Sequence, residues 1–180
     1  MNFTLTYRGD LKPNGSIQDK QIIRRAFHLQ LRELWTHTPF KELKSPSESL
    51  TNKIEKFNFF PLVSEMRDEI AELQIILLRS RLGPGHIISQ GGDIDNHLKT
   101  LFDSLRMPQQ KSEIPPDDQP RQNEDPFFCL LEDDKLITNI SVSTDRLLEP
   151  SQSNSYVKLL VQVQIKKLPL IGANMIIRVG

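Results

Sequence analysis

The sequence predicts a single α/β domain of the α+β kind, a mixed β-sheet flanked by helices. Three observations predict it. Period-two alternation of apolar residues marks strands near both ends of the sequence. Two internal segments repeat at helical spacing. The 180 residues suit one domain (1–180) with one sizeable core.

Phe3, Leu5 and Tyr7 alternate with polar neighbours, giving a half-buried strand. Pro13-Asn14-Gly15-Ser16 then turns the chain. Ile22, Ile23, Phe27, Leu31 and Leu34 recur near helical spacing, with Ser16 or Asp19 as the cap. Lys20, Arg24, Arg25 and Arg32 fall opposite and read as a solvated face or one that contacts phosphates. Residues 38–56 are polar and read as a loop, with a short helix over 48–56. Phe57–Val63 is apolar and packs on the core, and Ala71–Arg79 reads as a core strand. After Gly91-Gly92, the residues Ile94, Leu98, Leu101, Phe102 and Leu105 form one apolar helical stripe, and Met107-Pro108 ends it. Residues 108–126 hold five prolines and five acidic groups without periodicity, so a long, mobile loop is expected. Phe127–Leu131 is an apolar strand. Leu136–Val142 and Val157–Ile165 alternate as two more strands.

Charge narrows the function classes. Lys+Arg and Asp+Glu both number 23, so the net charge is zero and a histone-like binder is excluded. The balance is uneven: residues 61–126 carry 12 acidic groups against 7 basic ones. One cysteine, Cys129, excludes an internal disulfide and a Cys-rich zinc site, which fits a reduced, cytoplasmic setting. No apolar run is long enough for a signal peptide or a membrane span, so no membrane partner is expected.

Four carboxylates stand out: Asp93 and Asp95 at the start of the second helix, and Asp133-Asp134 after an apolar strand. Asp95, Lys99 and Asp103 share one helical face opposite the apolar stripe. A strand end and a helix start can meet at one rim of a sheet. Carboxylates crowded there repel one another without a cation, and Mg²⁺ is the hard ion that suits them. A helix cap and a turn are the plain alternative for Asp-x-Asp-Asn alone. An EF-hand loop is excluded, since the sixth position from Asp93 is Leu98 and the twelfth is Ser104.

The joint pattern runs from Gly92-Asp93-Ile94-Asp95-Asn96-His97-Leu98-Lys99 through Phe102-Asp103-Ser104-Leu105 to Glu132-Asp133-Asp134-Lys135. It resembles the RusA family of Holliday junction resolvases, over about a third of the chain. The resemblance implies a Mg²⁺-dependent endonuclease acting on branched DNA, the four-way junction, as a homodimer. It makes Asp93, Asp95 and Asp134 the metal-binding catalytic carboxylates, with Asp133 assisting, and Lys99 the catalytic lysine. Lys20, Arg24 and Arg25 would then contact the DNA backbone. The alternative is a diverged, non-catalytic module that keeps the fold and binds nucleic acid or protein.

Overall fold

The computed structural model describes residues 1–37, 51–79, 94–149 and 153–168. The elements are β1 (Asn2–Asp10), α1 (Ile17–Trp35), β2 (Asn52–Ile54), β3 (Phe57–Val63), β4 (Glu69–Arg79), α2 (Ile94–Leu105), β5 (Phe127–Leu131), β6 (Ile137–Arg146) and β7 (Tyr156–Lys167). They make a single α+β domain with two mixed sheets.

The larger sheet has the order β1-β7-β4-β6 and the smaller one β2-β3-β5. β4 runs parallel to β6 and antiparallel to β7, and β3 runs parallel to β5. On the larger sheet Leu5, Tyr7, Ala71, Leu73, Ile75, Leu77, Val157, Leu159, Val161 and Val163 all point to one buried face. Strict alternation is what a sheet covered on one side requires. Against that face lie Ile23, Phe27 and Leu31 of α1, Leu101 and Leu105 of α2, and Phe60, Leu62, Phe128 and Leu130 of the smaller sheet. Trp35 packs edge-on against Phe60, with ring centroids 5.0 Å apart.

Ser16 starts α1 through a reciprocal capping box: its side chain accepts from the Asp19 backbone N–H, and Asp19 accepts from the Ser16 backbone. This satisfies two otherwise orphaned donors.

The expected helix over 48–56 is corrected within the described residues. Asn52–Ile54 is a strand paired with Phe57–Phe59 of β3, closed by Glu55 at positive φ. β-Branched and aromatic residues beside a tight turn favour a hairpin over one helical turn. A second correction concerns α1. Ile22 is 61% exposed while Arg24 is 1% exposed, so the buried stripe is rotated from the one the hydrophobic residues suggest. Gln21, Arg24 and His28 form its polar edge.

Candidate active site

The turn after β1 positions the start of the motif helix. The Asn14 N–H donates to Asn96 O at 3.2 Å, the Gly15 N–H to Thr100 Oγ1 at 2.8 Å, and Thr100 Oγ1 to Lys12 O at 2.9 Å. A Cβ on Gly15 would sit 2.8 Å from Thr100 Cγ2, so glycine allows the approach. With Ile94, Leu101 and Leu105 buried, Asp95 and Lys99 stand exposed on the opposite face. His97 on the same helix is buried at 6% exposure. Asp93 lies outside the described residues.

The second half of the motif arrives at the other end of α2. The Met107 N–H donates to Leu131 O at 2.8 Å, which ties the end of β5 to the last turn of the helix. Asp133 caps the short 3₁₀ turn Asp134–Leu136 by accepting from the Lys135 N–H. Partial burial and the neighbouring Asp133 charge hold the Asp134 carboxyl above the usual carboxylate range. Asp103 pushes the same way and Arg106 opposes. Asp103 itself pairs with Lys20 at 2.8 Å and Arg106 at 3.3 Å.

Asp134 is therefore beside Asp103 and Arg106, while Asp95 is in the first turn. Eight residues of helix separate Asp95 from Asp103, roughly 12 Å along the axis at ~1.5 Å per residue. Hard carboxylate oxygens fit Mg²⁺ by donor type. Among the described residues no group of three His, Cys, Asp or Glu is arranged to hold an ion. A complete three-carboxylate set as expected would include Asp93.

The basic face of α1 is a correction. Arg24 is buried and cannot meet a phosphate: its guanidinium donates to Asp103 O at 2.8 Å and to Arg106 O at 3.4 Å. Thereby it caps two carbonyls at the end of α2, where a helix leaves acceptors unpaired. Arg25 is held by Glu124 at 2.9 Å and Asp118 at 3.0 Å. Lys20 is held by Asp103. Their charges were legible in the sequence, but the partners lie 79 to 99 positions away in the chain.

The partners of Arg25 come from residues 108–126. The segment carries a 3₁₀ turn at Lys111–Glu113. Glu113 pairs with Arg106 at 2.8 Å, and Gln21 donates to Asp118 at 3.0 Å. His28 bridges the segment to the core. Its Nδ1 accepts from the Phe128 N–H at 2.9 Å, so its Nε2 carries the proton toward Asn123 O at 3.1 Å. Ile114 and Met107 cover the outer face of the small sheet, completing a cluster with Phe57, Phe59, Phe127 and Cys129. Burial there pushes the Cys129 thiol up to about 12.

Sequence reasoning missed Arg106 and His28. For His28 a signal existed: Gln21, Arg24, His28 and Leu31 fall at i, i+3, i+7 and i+10, a helical face. Comparison with protein-family models, curated proteins and solved structures finds no match.

Proposed function

We propose that the protein is a Mg²⁺-dependent endonuclease of the RusA kind, hydrolysing phosphodiesters in branched DNA as a homodimer. One observation supports this reading most. Two stretches of the motif, separated by the insertion, meet along one helix: Asp95, Lys99 and Asp103 share a face of α2, and Asp134 lies close enough to feel Asp103 and Arg106. In this reading Asp93 and Asp95 hold the ion, and Asp134, oriented by Asp133, joins them only by moving from its place beside Asp103 and Arg106 toward the first turn of α2. Bound Mg²⁺ would supply an acidified water and charge stabilisation. Lys99, exposed one turn from Asp95, places a cation where a phosphoryl oxygen gains charge. A twofold pair of sites matches two symmetric cuts in a four-way junction.

The commitment of Arg24, Arg25 and Lys20 to internal partners favours a second reading, a non-catalytic binding module on the same fold. A cleavage assay on four-way junction, duplex and single-stranded DNA, with Mg²⁺ or with EDTA, separates the two. Junction cleavage that needs Mg²⁺ and is abolished by Asp95→Asn is the expected result. Binding without cleavage in any metal would leave the module reading.

A further inference from the structure

The larger sheet has two edges, and the fold treats them differently. At the β1 edge the side-chain amide of Gln30 on α1 closes the outward backbone of Thr6. Its Oε1 accepts from the Thr6 N–H at 2.8 Å, and its Nε2 donates to Thr6 O at 2.7 Å. β6 is the last strand at the other end of the sheet. The Leu147 N–H donates back to Arg79 O at 2.7 Å, so the odd-numbered residues of β6 turn their backbone groups toward β4. Strand alternation then turns the N–H and C=O of Ile140, Val142 and Thr144 outward. Among the described residues these groups have no partner.

An edge strand with unpaired backbone groups is a template for another strand, unless charge, proline or a bulge blunts it. Ile137–Thr144 contains no charged residue and no proline. Two features bound the open stretch. Ala71 pairs with Ile137 and Glu72 with Asn139, so Thr138 is an extra, bulged residue at the start. At the far end Asp145 Oδ1 accepts from the Arg146 N–H at 2.7 Å. The open stretch therefore runs from Ile140 to Thr144, with Val142 at its centre. Its side chains lie in register with Leu73, Ile75 and Leu77 of β4. Those three are buried, whereas Ile140 is 44% exposed. The core's cover stops at β4 and leaves the next strand's apolar row open.

We propose that the β6 edge is where two copies of this chain join, strand against antiparallel strand, about a twofold axis at Val142. Val142 then faces Val142, Ile140 faces Thr144, Ser141 faces Ser143 and Asn139 faces Asp145. No like charges meet, and the outward N–H and C=O groups pair across the axis. The contact is isologous, and the Gln30 cap on β1 denies the sheet a second open edge, so assembly stops at two copies. This names the interface of the homodimer in the nuclease reading and rests on that reading for the dimer's purpose alone.

The test is sedimentation equilibrium of the full chain at micromolar concentration in EDTA, without DNA. Val142→Pro removes an outward N–H, which an edge strand tolerates in the monomer. Ile140→Lys/Thr144→Lys sets like charges opposite each other across the axis, and Ile140→Lys/Thr144→Glu sets opposite ones. The parent sediments as a dimer. Val142→Pro and the Lys/Lys variant weaken it by roughly tenfold or more, the scale of losing one or two hydrogen-bonded pairs. The Lys/Glu variant recovers it. On mild oxidation Val142→Cys cross-links to its copy while Ser143→Cys does not, and the parent's own Cys129 is buried. A monomeric parent overturns the proposal. So does a dimer that the Lys/Lys and Lys/Glu variants leave equally strong or weaken equally, whatever Val142→Pro does to folding. A dimer that cleaves no junction sinks the nuclease reading and keeps the interface; a cleaving monomer does the reverse.

Discussion

Arg24 and Arg25 on α1 contrast with the outer edge of β6 in the larger sheet. The first pair looked available in the sequence, on a helix face with Lys20 and Arg32. In the fold it is enclosed: Arg24 is 1% exposed and caps the end of α2, and Arg25 is clamped by Asp118 and Glu124. The β6 edge drew no notice within an alternating strand, yet among the described residues the fold leaves its outward backbone groups unpaired. A group available to a partner is one that the tertiary structure has not already satisfied. Neither helical periodicity nor net charge reports that.

Removing Arg24 should break this comparison most severely. Arg24→Ala leaves the Asp103 and Arg106 carbonyls without their donor and opens a cavity in a closed part of the core. A loss of about 2–5 kcal/mol is expected from urea unfolding, the range for buried truncations. A change within 0.5 kcal/mol would make Arg24 a surface residue after all.

Next comes the clamp on the insertion. Arg25→Ala removes charge-assisted bonds to Glu124 and Asp118, and about 1.5–3 kcal/mol should go with them. Amide exchange should accelerate across residues 118–124 while the larger sheet keeps its protection. Uniform acceleration would show that the segment is not a separate unit. The same exchange profile in the parent tests the sequence expectation of a mobile loop: the contacts at Asp118, Asn123 and Glu124 predict protection of their neighbours.

His28 gives the clamp a pH dependence. Burial pushes its pKa below the ordinary imidazole value, while the Asn123 and Phe128 backbone bonds and Glu124 oppose and Arg32 assists. A lowered folded pKa means the unfolded chain binds the proton first. The neutral-state stability is therefore full above about pH 6.5, the unfolded value, and falls as pH drops below it. His28→Gln should flatten the fall between pH 7 and 5 in thermal melts. An identical slope in parent and variant would remove His28 from the account.

The smallest effect belongs to Asp134. Its carboxyl is held above the usual range, so the folded state favours its protonated form, and the ionised form is disfavoured at neutral pH. Asp134→Asn should raise the neutral-pH melting temperature slightly, with the gain vanishing as acid protonates the parent. In the nuclease reading the same variant loses any Mg²⁺-dependent rise in melting temperature. A variant that melts earlier at neutral pH and keeps the Mg²⁺ response would make Asp134 a structural turn residue.

The sequence by itself determined the α+β class, the capped first helix, the motif helix and the strands on the larger sheet. Each of these writes its exposure as a local period: Phe3-Leu5-Tyr7, Ile94-Leu98-Leu101-Leu105, Val157 to Ile165. The sequence also put the four aspartates on two short stretches. The small sheet was less legible, because Phe57–Val63 and Phe127–Leu131 are buried on both faces and so show no alternation. The role of residues 108–126 was hidden for a related reason. A single apolar residue, Ile114, completes the second cluster, and one side chain has no period. Only the tertiary structure decided which charges meet. Arg25 and Glu124, or Arg24 and Asp103, are brought within 3 Å of each other's residues by packing across 99 and 79 positions of chain. Electrostatic pairing depends on distance in space, and a sequence records distance only along the backbone.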